Sequence, residues 1–215
     1  MIVLYSLVAT CTILSILLTA YCQTPPGYQP SSWQHLNVQF GHNEKIETGT
    51  VLTPSQAYYK PHIHAPDVLP IYPLYISFMI DVEVNHNGIS TSMLHWYQPD
   101  LRISDSDGLL LNLTNNGADY VGPQPPPGPR HVYVLLLFVQ PSDFLFPECY
   151  SRVFPISIPT RVGFDIGQFM RIAGLDEPVA ANYFVAGNPT PASTPIPRIW
   201  TTSMSSARCE STDIL

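Results

Sequence analysis

From residue 74 the chain alternates strictly: Leu74, Ile76, Phe78 and Ile80 fall on one side of an extended backbone, and Tyr75, Ser77, Met79 and Asp81 on the other. This predicts a strand with Asp81 on its less apolar face. Residues 90–98 read as a second strand in which His95 and Tyr97 point one way and Leu94 and Trp96 the other. Residues 131–139 form a nearly continuous apolar run between Pro129 and Pro141, the signature of a central strand covered on both faces. There His131 and Tyr133, two residues apart, share a face. Shorter extended pieces are predicted at 36–40, from the alternation of Leu36, Val38 and Phe40, and at 49–56. Residues 59–73 hold four prolines and form a long loop or an edge segment, not a helix.

One stretch reads as a helix. In FDIGQFMRIAGL, Ile166, Phe169, Met170 and Ala173 repeat at helical spacing, Asp165 stands at the N-cap with Gln168 three residues on, and Gly174 and Pro178 mark the far end. A mainly β fold with a helix packed on a sheet follows.

Two segments lie outside this domain. Residues 1–22 contain no Asp, Glu, Lys or Arg and give way abruptly to a polar, proline-rich stretch at Gln23, the pattern of a secretory signal peptide. An uncleaved anchor is the competing reading. If the segment is cleaved, no stable membrane insertion is expected. Residues 23–186 are read as the single domain and residues 187–215 as a Pro/Ser/Thr-rich tail.

Secretion changes the reading of the cysteines. Cys11 and Cys22 leave with the signal, so Cys149 and Cys209 form a disulfide as the simplest reading, with two free thiols as the alternative. Asn112-Leu113-Thr114 is the usable glycosylation sequon, since Asn188-Pro189-Thr190 is blocked by its proline. The net charge of −7, with nine basic residues of which two are lysines, excludes nucleic acid as a partner and argues against docking on anionic membranes.

Polar groups inside apolar strands are costly unless they pair or meet a ligand. Asp81, Glu83, His95, His131 and Tyr133 are therefore the candidate site. Two imidazoles and a phenol supply donors for a phosphate, sulfate or carboxylate, and an acid beside them fixes a histidine's tautomer. From the sequence alone these residues could equally be satisfied core polar groups. The His62-x-His64 pair could chelate a metal but lacks a third ligand at a suggestive spacing, so no metal or other cofactor is called for. His35, His42 and His86 lie in or beside polar turns and are expected to be exposed. No Gly-x-Ser-x-Gly elbow, His-Glu-x-x-His helix or Gly-rich phosphate loop is present, which disfavours an enzyme. The Pro/Gly run at 122–129 is read as a rim loop.

The order of these segments resembles the phosphatidylethanolamine-binding protein family, also called the Raf kinase inhibitor family. GTVLTPSQ resembles its early Leu-Thr-Pro segment; LYISFMIDVEVN sits where the family has a strand ending in Asp-Pro-Asp-x-Pro, and LHW matches the next strand. YVGPQPPPGPRHVYVLLLF resembles the Tyr-x-Gly-Pro…Gly-x-His-Arg-Tyr-Val-Phe signature, and FDIGQFMRIAGLDEPVAANYF the late helix and strand. The signal segment and the LHWYQPDL wording suggest the secreted fungal-type branch. The resemblance implies a large central β-sheet packed on a smaller one with a few peripheral helices, and a small anion pocket that takes phosphate-bearing groups such as phospholipid head groups. Asp81, Glu83, His95, His131 and Tyr133 take the family's pocket positions. Gln124 stands where a glycine normally offers its backbone N–H to the ligand. Val82 and Asn85 replace both prolines, and Val132 replaces the signature arginine. The expected partner is a small anion or phospholipid head group, with inhibition of a serine carboxypeptidase or other protease as the alternative.

Overall fold

The structure, a computed structural model, describes residues 22–41, 44–86, 88–155, 157–189 and 209. Most of the leader and the C-terminal tail, and His42, thus lie outside the described residues. Among the described residues nine strands form two sheets: β1 (Asn37–Phe40), β2 (Glu44–Ile46), β3 (Thr50–Leu52), β4 (His62–His64), β5 (Tyr75–His86), β6 (Ile89–Ile103), β7 (Leu110–Asn112), β8 (His131–Val139) and β9 (Ala180–Ala186). The large sheet has the order β3-β9-β8-β5-β6-β7 and the small one β2-β1-β4. β4 lies within the proline-rich stretch and occupies an edge, where prolines disturb no ladder.

The alternation along β5 and β8 separates two cores. Tyr75, Met79, Tyr133, Leu135 and Leu137 meet Val38, Phe40 and Ile63 of the small sheet. Ile76, Phe78, Val134, Leu136 and Phe138 face the other way, toward Tyr150, Phe164 and Phe169. β8 is therefore buried on both faces, which is why its sequence is continuously apolar. Asn182 of β9 is fully buried, and its amide donates to the Leu36 and Ile46 carbonyls at 2.9 and 3.1 Å, stitching the sheets together. His35 is half-buried beside it, Nε2 lying 3.1 Å from that amide nitrogen, rather than exposed in a turn.

The predicted helix is α2 (Ile166–Ala173), after the short α1 (Ile158–Arg161). Asp165 accepts from the Gln168 N–H at 3.0 Å, and Gly174, at φ 66°, adopts the left-handed conformation that closes the helix. The Gln168 side chain then clasps the Cys209 backbone, accepting its N–H and donating to its carbonyl, both at 2.9 Å. Cys209 is disulfide-bonded to Cys149 in a 3₁₀ turn at Glu148–Val153, across a sequence separation of 60. Closing a loop of that size stabilises the fold by at most about 4 kcal/mol in the chain-entropy model. Among the described residues no helix is long and apolar enough to cross a membrane.

Candidate functional site

Asp81 sits directly opposite Tyr133 in the β5–β8 ladder, and His131 lies two residues before Tyr133 on the same face. His131 Nδ1 donates to Asp81 Oδ2 at 2.7 Å, and the Glu83 backbone N–H donates to Oδ1 at 2.9 Å. The Tyr133 phenol lies near Asp81; burial, reinforced by that acid's charge, raises its pKa and keeps it a donor. The Tyr133 ring stacks on Phe184, centroids 5.1 Å apart, which holds the phenol in place. Asp81, 3% exposed, is thus an acceptor on which a ring N–H and a backbone N–H converge.

His95 reaches this face through a β-bulge. Met79 pairs with Trp96 but Ile80 with Leu94, so His95 is the extra residue of the bulged strand. Its ring lies edge-on to Tyr133, centroids 5.1 Å apart, while Tyr97 packs in the opposite core. The expectation that His95 and Tyr97 share a face fails for this reason. The rim segment holds His95 twice, its backbone carbonyl accepting from the Val121 N–H at 2.9 Å and its Nδ1 lying 2.7 Å from the Val121 oxygen. Nε2 is buried without a hydrogen-bond partner, 4.0 Å from Asp81 Oδ2.

These side chains line one cavity of about 340 Å³. Asp81, His95, His131 and Tyr133 form its polar side, and Met93, Val121, Pro125, Ile158 and Val162 an apolar wall. Gly122 packs closely at the rim, where a Cβ would come within 3.1 Å of the Ala57 and Tyr58 carbonyl oxygens. Behind the wall Arg161 is fully buried; its Nε donates to Val153 O at 2.8 Å and Nη1 to Asp119 O at 2.6 Å. No carboxylate neutralises it by direct pairing among the described residues, and it is near enough to His95 to oppose that ring's protonation.

The phosphatidylethanolamine-binding protein family model matches residues 37–184, most of the described chain. The chain belongs to this family. Among its relatives, phomoidride biosynthesis cluster protein N of Talaromyces stipitatus is 40% identical over 179 residues, 77% of this chain and 90% of that protein. A protein of the same name from a second fungal strain is 43% identical over 112 residues, 51% of each chain. The fold is shared with the carboxypeptidase Y inhibitor solved with its cognate proteinase, at 21% identity and TM-score 0.54 over 74% of this chain and 85% of that one. It is also shared with the phosphatidylethanolamine-binding protein of Plasmodium vivax, at 20% identity and TM-score 0.50 over 71% of this chain and 84% of that one.

The departures from the phosphatidylethanolamine-binding protein pattern now have structural consequences. With Val82 and Asn85 in place of prolines, β5 and β6 stay paired past the cavity, through Val84↔Thr91 and Asn85↔Ser90 to His86↔Ile89. Asn85 and His86 thereby become cavity-lining residues, and His86 is half-buried rather than exposed. A ladder irregularity between Asp81 and Val84 places Val84, not Glu83, on the cavity wall. Glu83 is exposed and contributes its backbone N–H and a nearby negative charge, not a lining side chain. Gln124 is exposed at the mouth and Val132 packs against the helical core. His62 and His64 lie on β4 and do not line the cavity. Arg161, Met93, Ile158 and Val162 were not anticipated; the only signal was a basic residue inside the apolar IPTRVGF segment.

The two histidines carry opposite pH signatures. The Asp81 hydrogen bond raises the His131 pKa above its ordinary 6.5, so that pair's stabilisation is complete below pH 6.5 and lost as pH rises through the raised value. Burial lowers the His95 pKa, so His95 costs stability as pH falls below 6.5 toward its lowered value. Thermal unfolding against pH should show His131→Gln flattening the alkaline limb and His95→Gln the acid limb. A single variant that flattens both limbs would refute the assignment.

Proposed function

We propose that the protein is a secreted, non-enzymatic ligand-binding protein whose cavity takes a phosphate-bearing or similar acid group, as on a phospholipid head group. The observation that carries this reading is the Asp81–His131 pair, with His95 beside it, in a cavity that also has an apolar wall. A protonated His131 donates Nε2–H to the acid, the buried Arg161 supplies positive potential behind it, and the wall receives the organic substituent. The uncharged apolar leader, the Cys149–Cys209 bond and the exposed Asn112 sequon support secretion with glycosylation. A biosynthesis-cluster relative keeps catalysis as a competing class, but the described lining residues include no Ser, Thr, Cys or Lys to act as a nucleophile.

Thermal unfolding in the presence of inorganic phosphate and O-phosphoethanolamine tests the reading. Ligand at about a hundred times its Kd should add about 2.7 kcal/mol, raising Tm by roughly 5–11 °C. A flat response at millimolar concentration would count against the pocket.

The second reading, a protease inhibitor, draws on the resemblance in fold to the carboxypeptidase Y inhibitor. Residues 23–32 fold back as a loop: the Gln23 N–H donates to Ser32 O at 2.8 Å and Tyr28 packs on the helical core. Inhibition would then use the exposed tip at Pro26 and Gly27.

A further inference from the structure

The apolar side of the cavity begins directly beside its acid-binding groups. Met93 stands across the β5–β6 ladder from Asp81, so the two side chains share a face. An antiparallel bridge ties Met93 to Val162, and the Gly163 N–H donates to Ser92 O at 2.6 Å, which holds the end of α1 against β6. Val84 enters from the part of the hairpin that continues past Asp81, where it pairs with Thr91, and Val121 enters from the rim. The hairpin, the α1 segment and the rim thus turn apolar side chains toward one space.

These side chains are open to it. Ile158 is 42% exposed and Val84 and Val121 are half-buried, and each lines the cavity. The volume of about 340 Å³ is roughly twice that of an apolar cavity of about 150 Å³ that holds a benzene molecule, and an inorganic phosphate is smaller than benzene. A bare acid group therefore leaves most of the wall against water. A charged or strongly hydrated substituent would lose hydration there without gaining a partner, whereas an apolar one gains by leaving water.

Resting on the acid-pocket reading above, we propose that the cavity takes an amphiphilic acid: a phosphate or carboxylate held at His131 and bearing an apolar chain or ring that lies on Val84, Met93, Val121, Ile158 and Val162. A phosphodiester fits with one substituent on the wall and the other directed out of the mouth, so phospholipids are included. Free alkyl and aryl acids share the chemistry.

The test titrates the full-length protein with inorganic phosphate, methyl phosphate, hexyl phosphate and hexanol by calorimetry at one pH. Each methylene fully withdrawn from water is worth roughly fourfold in affinity, so hexyl phosphate should bind at least roughly tenfold tighter than methyl phosphate. Hexanol, which has the chain without the acid, should bind at least roughly tenfold weaker than hexyl phosphate. Ile158→Ser, at a side chain already open to solvent, should narrow the hexyl-to-methyl ratio. Equal affinities for methyl and hexyl phosphate, or a ratio untouched by Ile158→Ser, would overturn the apolar subsite while leaving the acid pocket intact. Hexanol binding as tightly as hexyl phosphate would overturn the joint recognition of acid and chain. Failure of all three phosphates to bind would overturn the acid pocket itself. Independently of any variant's folding, the Val84 and Ile158 methyl NMR signals should move with hexyl phosphate more than with inorganic phosphate, and methyl signals that ignore bound hexyl phosphate would overturn the inference. Hexanoyl lysophosphatidylethanolamine, run beside hexyl phosphate, separates the sources: tighter binding of the lysolipid assigns the site to a lipid, and tighter binding of hexyl phosphate assigns it to a free acid.

Discussion

His131→Ala is expected to abolish the thermal stabilisation given by phosphate. The substitution removes the Nε2–H donor and also leaves Asp81 Oδ2 without its 2.7 Å partner, so a bare carboxylate faces the incoming acid. Loss of a charge-assisted hydrogen bond is worth about 1.5–3 kcal/mol, roughly 10- to 200-fold in Kd, before the repulsion from Asp81 is counted. His131→Gln, which can still hydrogen-bond Asp81 but carries no charge, should retain weak binding. Isothermal titration of the three proteins with phosphate measures the series. Equal Kd values in wild type and His131→Ala would remove His131 from the site.

Arg161→Ala is expected to be the most destabilising single change near the cavity. The guanidinium joins three chain segments by donating to Val153 O at 2.8 Å, Asp119 O at 2.6 Å and, more weakly, Phe154 O at 3.5 Å. Truncation strands those carbonyls and opens a void behind the wall formed by Ile158 and Val162. The relief of a desolvated charge offsets part of the loss, giving a net cost of about 2–4 kcal/mol. Urea unfolding reads this directly. Arg161→Lys, a point charge on a flexible stem, cannot span the three carbonyls and should recover less than half of the loss. Unchanged stability in Arg161→Ala would mean that the desolvation cost cancels the hydrogen bonds entirely.

Where regular periodicity governs, the sequence is a good guide. The partition of β5 and β8 into two faces follows from strict alternation, and α2 follows from its spacing together with the Asp165 cap and Gly174. Asp81, His131 and Tyr133 were legible for the same reason, as polar residues on one face of otherwise apolar strands. What escaped are the places where the period breaks. The bulge at His95 separates it from Tyr97, and the irregularity after Asp81 turns Glu83 outward and Val84 inward. A single extra residue in a ladder reverses the side-chain register, and no local composition marks it. α1 spans only Ile158–Arg161, too short to show a helical period, so its contribution to the cavity wall and the role of Arg161 had no sequence signature beyond one buried-looking basic residue.

The central claim is that His95 and His131, from strands separate in sequence, meet one acid ligand in one cavity. Imidazole NMR signals followed during a phosphate titration test it most directly. His95 and His131 should shift together along one saturation curve with a shared Kd, while His62, exposed on the small sheet, stays fixed. Saturation of His131 with no response from His95, or shifts of both with different Kd values, would contradict a single shared site.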